Sequence, residues 1–229
     1  MKTVDSKRWL MVAWYAVAMA WVEAAVVFYL RTLVNRIDPY QATPLPLAAG
    51  LSQAELVREF ATLVMLFAVG WLAGATWSSR LGYSTIAFGI WDIFYYVFLR
   101  VMTGWPKSLL DWDILFLIPL PWWGPVWAPT SIALLMILWG TIMTKVEWSP
   151  VSSGSHWKFL VLGGIGAALA LFTFMADAIR TADQGTEALR IMLPIRFNWP
   201  LFGVALALMA LPVADVARQE LRARRKGES

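Results

Sequence analysis

The chain has 229 residues, 59% of them hydrophobic and 15% charged, with a mean hydropathy of +0.61. Soluble domains carry about 25% charge and about 45–50% apolar residues, so an ordinary soluble domain, a disordered chain and a coiled coil are all excluded. Fifteen tryptophans accompany a complete lack of cysteine, which removes disulfides, thiol catalysis, thiolate metal sites and covalent haem and leaves the redox compartment open.

What remains is an all-α protein, a polytopic bundle of transmembrane helices. A span needs about 20 mostly apolar residues, because only a helix or a closed barrel satisfies its backbone in lipid. The alternating segments of a barrel are absent. Residues 9–30 are apolar except for Glu23, 60–77 carry no charge, and 81–99 carry only Asp92. Residues 114–144, 159–176 and 197–214 are also uncharged. Six spans are predicted, at about 9–31, 56–78, 82–102, 129–145, 158–178 and 198–217, forming one integral membrane domain over 1–229.

Local signals support these limits. Lys2, Lys7 and Arg8 precede an apolar run longer than a signal peptide's, without a convincing cleavage site, so it reads as a retained first span. Residues 35–50, with Pro39, Pro44 and Pro46, read as an extended connection. Ser52 and Glu55 have the spacing of a capping box. The short run Ser79-Arg80-Leu81-Gly82 predicts an antiparallel hairpin of spans two and three. Residues 149–155 form a polar turn, and Asn198 with Pro200 opens the last span.

The stretch from 114 to 144 is too long for one span, and Pro119, Pro121, Pro125 and Pro129 forbid continuous helix through its first half. Residues 105–128 therefore read as a Trp/Pro-rich segment, lying in the interface or dipping into the bilayer as a re-entrant element. It holds Trp105, Trp112, Trp122, Trp123 and Trp127, and interfacial belts favour tryptophan. Asp111 or Asp113 is expected to cap a short helix after it.

Six spans put both termini on one side. That side carries eleven of the nineteen lysines and arginines, largely through Arg218, Arg222, Arg224, Arg225 and Lys226. The positive-inside rule then places both termini in the cytoplasm, with the chain in the cytoplasmic (inner) membrane. The basic tail continues the last helix, with Glu220 and Arg224 spaced for an i,i+4 pair. Its partners are anionic lipid headgroups rather than nucleic acid, despite a pI near 9.5.

The informative charges are acids where acids are expensive, since a mid-bilayer charge costs about 2.5–3.5 kcal/mol on insertion scales. Glu23 shares its helix face with Met19, Val27 and Leu30, so it must be protonated or paired from another helix. Asp92 lies on a polar stripe with Thr85, Gly89, Tyr96 and Leu99 or Arg100. Glu59, beside Arg58, and Asp177, a turn before Arg180, are nearer helix ends and read as interfacial anchors, as does Asp215.

A transport, ion or proton site at Glu23, Asp92, Tyr96 and Thr85 is the leading expectation. Glu59, Arg58, Asp177 and Arg100 are secondary candidates, and Asp111, Asp113, Trp122 and Trp123 mark the Trp/Pro segment. A raised carboxyl can carry a proton, paired carboxylates can hold a hard cation, and one acid can hold an amine on an organic solute. With His156 alone in a turn and no nucleotide or zinc-protease motif, no catalytic set can be assembled and no cofactor is implied. Gly70 and Gly74, Gly163 and Ala167, and Gly203 and Ala207 have the small-xxx-small spacing of close helix crossings. That pattern leaves open a homo-oligomer, or an accessory membrane subunit packed among partner subunits. An intramembrane lipid enzyme has the least support.

Overall fold

The computed structural model describes residues 5–41, 51–145 and 156–227; the side chains of Leu51, Ser52, His156, Arg190 and residues 219–227 lie outside that description. The Ser52 capping box, residues 42–50, the turn at 149–155 and the Glu220–Arg224 pair therefore fall outside the described part. The described chain is mostly helical.

Helix α1 (Ser6–Leu33) starts where the Asp5 carboxylate accepts the Arg8 amide. Its buried residues Val12, Ala16, Ala20 and Ala24 recur every four positions. Such a stripe of small side chains lets another helix lie close along it. Helix α2 (Leu51–Ala73) and helix α3 (Trp77–Thr103) form the expected antiparallel pair, but the break falls earlier than residues 79–82. Thr76 decides it. Its hydroxyl accepts the Ser79 amide while the Ser79 hydroxyl accepts the Thr76 amide, a reciprocal cap that starts α3 at Trp77 and takes residues 74–78 out of the second span. Helix α3 stops at Gly104, whose φ of 75° is left-handed and whose amide returns to the Arg100 carbonyl.

No helix follows Asp111 or Asp113. Strand β1 (Trp112–Phe116) and strand β2 (Trp122–Pro125) pair antiparallel, Asp113 opposite Gly124 and Ile114 opposite Trp123, with an irregularity before Phe116 meets Trp122. Prolines supply no N–H for a helix, so a hairpin with prolines in its loop and at its end satisfies more of this backbone. Asp111 instead closes the turn before β1, accepting the Lys107 and Ser108 amides.

Helix α4 (Trp127–Met143) follows directly, then α5 (His156–Thr181), a single 3-10 turn, the short α6 (Thr186–Ile191) and α7 (Trp199–Gly227). The Asn198 carboxamide accepts the Leu201 amide and so caps α7, as its sequence suggests. Five helices are long and apolar enough to cross a membrane, α1, α2, α3, α5 and α7, while α4 is a shorter apolar helix of 17 residues. Large apolar side chains such as Met11, Trp14, Val57, Phe60, Leu72 and Val101 are exposed, as a surface against hydrocarbon requires.

Helix α3 is central and packs on α1, α2 and α4, while α7 packs on α5 and α4. Glycines set several close crossings. A Cβ on Gly89 would sit 2.5 Å from the Ala133 carbonyl oxygen of α4. Gly70 and Gly74 press α2 onto α3 at Ser84 and Arg80, so this GxxxG serves an internal crossing. Gly163 packs on Pro212 of α7, whereas Gly203 has nothing within 4 Å among the described residues, contrary to the crossing expected there.

Candidate functional site

Helices α1, α2, α3, α4 and α5 and the β1–β2 hairpin surround a cavity of about 660 Å³. That is within the range of about 300–1,000 Å³ typical of small-molecule sites. Its walls differ in character. Helix α1 contributes Glu23, Val27, Leu30 and Arg31, with Val34 just after it, the expected apolar face of Glu23 continued by one arginine. Helix α2 contributes Glu55, Arg58, Glu59 and Thr62, and α3 contributes Phe88, Trp91, Asp92, Tyr95 and Tyr96. The lining from α4, α5 and Met209 of α7 is apolar.

Glu23 is paired across helices. Its carboxylate contacts the Arg58 guanidinium and accepts the Thr62 hydroxyl at 3.1 Å. Arg58 also bonds Glu55 at 2.9 Å, so one guanidinium serves two carboxylates. Glu59 is 8% exposed and accepts the Leu117 amide at 3.1 Å, reaching from α2 to the hairpin loop. It also lies in the cavity wall.

Arg31 and Asp113 form a second inter-element pair at 2.7 Å. Burial pushes the Asp113 carboxyl above the usual aspartate range, against the pull of Arg31 and the Ile114 amide. The Arg31 guanidinium also lies 4.3 Å over the Trp105 ring and donates to the Ile37 carbonyl.

Asp92 stands apart from these pairs. It is 8% exposed, lines the cavity, and its Oδ2 has no hydrogen-bond partner among the described residues. The indole N–H groups of Trp91 and Trp122, also in the cavity wall, are likewise unpartnered there. Aromatic rings run from one to the other: Tyr95 stacks on Trp91, Trp91 meets Phe116, Phe116 meets Trp122, and Trp122 stacks on Phe174 of α5.

The sequence-level candidates divide accordingly. Glu23, Asp92, Tyr96, Glu59, Arg58 and Trp122 are brought together around one cavity. Thr85 is not among them. Its hydroxyl bonds the Leu81 and Gly82 carbonyls of its own helix, beside the α3–α4 crossing at Gly140. Arg100 bonds the Gly104 and Pro106 carbonyls, Asp177 pairs with Arg180 on the surface, and Asp111 holds its turn. Asp113 and Trp123 are buried supports of the hairpin, with Trp123 edge-on to Tyr40. Sequence reasoning missed Arg31 and Glu55 as residues of this cavity. Arg31 was accessible, because the Glu23–Val27–Leu30 face extends straight to it.

The acids are distributed among partners and not gathered: no group of three or more metal-type side chains lies close enough to hold an ion among the described residues. Comparison with known protein families, with characterised proteins and with solved structures finds no match to this chain. Fold and site define the class by themselves: a mostly helical protein with five helices long and apolar enough for a membrane, enclosing a cavity with a partly polar and partly apolar lining.

Proposed function

We propose that the chain is a six-span integral protein of the cytoplasmic membrane, with both termini cytoplasmic, that binds and carries a small organic solute. Asp92 holds the polar end of the solute, and the Trp/Pro hairpin is a re-entrant element closing one end of its cavity. The observation that carries this reading is the buried Asp92, which lines the cavity and whose Oδ2 has no hydrogen-bond partner among the described residues. Intramembrane ionisable residues facing a cavity mark substrate paths by default.

Among protons, hard cations and organic solutes, the cavity's size and its aromatic and apolar lining favour the organic solute. Glu23 is given a supporting role by its Arg58 partner. The hairpin's backbone lies against protein and cavity, the condition under which non-helical backbone is tolerated at membrane depth.

Flux in proteoliposomes tests the reading, with ethidium as a fluorescent organic cation. The parent chain should move it faster than protein-free liposomes do, and Asp92→Asn should return the rate to background with helix content unchanged. Equal rates in the parent and Asp92→Asn would remove Asp92 from the path.

A further inference from the structure

The cavity's lining and the packing around it say more about what it takes and how the solute arrives. We propose that the solute is an amphipathic amine, a cationic head on a hydrocarbon body, and that it reaches the cavity sideways from the bilayer between α2 and α5. This rests on the reading of the cavity as an organic-solute site.

The head chemistry follows from which charges are already engaged. Arg31 is held by Asp113, Arg58 by Glu23 and Glu55, and Arg36 by the Pro39 and Gln41 carbonyls. A phosphate or carboxylate head would have to break one of these sets. Asp92 instead lines the cavity with its Oδ2 unpartnered among the described residues, one helical turn before Tyr95 and Tyr96, which line it too. A carboxylate in an aromatic-lined cavity suits an ammonium, through a charge-assisted hydrogen bond and cation–π attraction.

The body chemistry follows from the apolar part of the lining. Ile132, Ala133 and Met136 of α4, Ala167 and Leu171 of α5 and Met209 of α7 offer no polar side-chain group. A hydrocarbon body gains by leaving lipid only through close packing, which such a wall supplies, while the head supplies the selectivity.

The route follows from how the walls are joined. Helix α2 packs on α3 and α1, and α5 packs on α7 and β2, so the two helices both line the cavity without extensive packing between them among the described residues. The hairpin bridges them at one end, through Leu117 to Glu59 on α2 and through Gly124 against Phe174 on α5. Beyond that bridge no extensive packing between α2 and α5 closes the side among the described residues. Ala167 is exposed and lines the cavity, and the proposed route puts it at the rim. Its neighbours in the wall, Ala170, Leu171 and Phe174, follow at helical spacing on the same face.

The test uses ω-bromoundecylamine, whose bromine quenches indole fluorescence, with the full chain in nanodiscs, and ω-bromoundecanoic acid as the anionic counterpart. The amine should quench saturably and the acid should not. Asp92→Asn should weaken the amine by roughly ten- to a hundredfold, the worth of a charge-assisted hydrogen bond. Ala167→Phe, a bulkier side chain at an exposed position, should slow loading severalfold in stopped flow while leaving the equilibrium midpoint in place. Ile165→Phe, on the opposite face of α5 and exposed, should change neither.

Each failure has a different meaning. Equal loading rates in Ala167→Phe and Ile165→Phe would overturn the lateral route. Equal binding of the acid and the amine would overturn the head chemistry. An unchanged midpoint in Asp92→Asn would overturn the site reading beneath both.

Discussion

Arg31 on α1 and Asp113 on β1 meet at 2.7 Å, with the Asp113 side chain fully buried, and so tie the hairpin to the first helix across 82 positions of sequence. Removing one partner of a buried pair leaves an uncompensated charge and costs about 3–5 kcal/mol, whereas replacing both by apolar groups is often neutral. Asp113→Leu alone should therefore lower the thermal midpoint sharply, and the double variant Arg31→Met, Asp113→Leu should recover much of the loss. Some deficit should persist, because Arg31 also stacks on Trp105. A double variant no more stable than Asp113→Leu would refute the pairing.

The Glu23–Arg58–Glu55 arrangement is asymmetric, and so are the expected effects. Glu23→Gln leaves Arg58 with Glu55 as a partner, so the loss should be modest, about 1–2 kcal/mol. Arg58→Met leaves two carboxylates without their cation and should cost more, toward the roughly 3–5 kcal/mol of a broken buried pair. Denaturation midpoints in one detergent compare the two directly, and the opposite order would be incompatible with a shared guanidinium.

Glu59 should control the hairpin loop. Glu59→Ala removes the acceptor of the Leu117 amide. A hydrogen bond to a charged group contributes about 1.5–3 kcal/mol, so exchange of that amide should quicken by roughly ten- to a hundredfold. Glu59→Gln keeps an acceptor and should fall between the two. Unchanged exchange in Glu59→Ala would show that the loop is held elsewhere.

Helix crossings give a sharper contrast. Gly89→Ala places its Cβ against the Ala133 carbonyl, backbone that cannot rotate away, so α3 and α4 must separate at a cost of about 1–3 kcal/mol. Gly164→Ala meets nothing within 4 Å among the described residues and should be neutral or stabilising by up to about 1 kcal/mol through helix propensity. Thermal midpoints of the two variants should move in opposite directions or by very different amounts.

Much of the helical frame was legible beforehand, because an apolar run of span length has few other solutions and Asn198 signals its helix start openly. The break between α2 and α3 was misread by several residues. Ser79-Arg80-Leu81-Gly82 has a turn-like composition, but the reciprocal Thr76–Ser79 cap offers backbone groups better partners one step earlier. The helix expected after Asp111 and Asp113 was wrong for a related reason. A short polar-led run followed by apolar residues is ambiguous between helix and strand, and only pairing with residues 122–125 resolves it.

The site was half legible. That buried acids needed partners was plain from the cost of a charge in lipid; which partners they found was not. Glu23 and Arg58 come from different helices, as do Arg31 and Asp113 from helix and strand, and nothing in local spacing encodes such meetings. The polar stripe on α3 shows the same limit: Thr85 and Gly89 turn to α4, whereas Asp92 and Tyr96 turn to the cavity.

Composition and the periodicity of apolar runs thus determined the class of protein, the helices and the two residues, Glu23 and Asp92, where charge is out of place. These are properties of single segments, set by the transfer of side chains and backbone between water and hydrocarbon. Tertiary structure alone decided that Glu23 is neutralised while Asp92 has an oxygen without a partner among the described residues, that the tryptophans of 105–127 divide between cavity wall and hairpin support, and that α2 and α5 line one cavity without extensive packing between them there. Those outcomes depend on which surfaces meet, and a buried charge is silent or reactive according to the partner that meeting supplies.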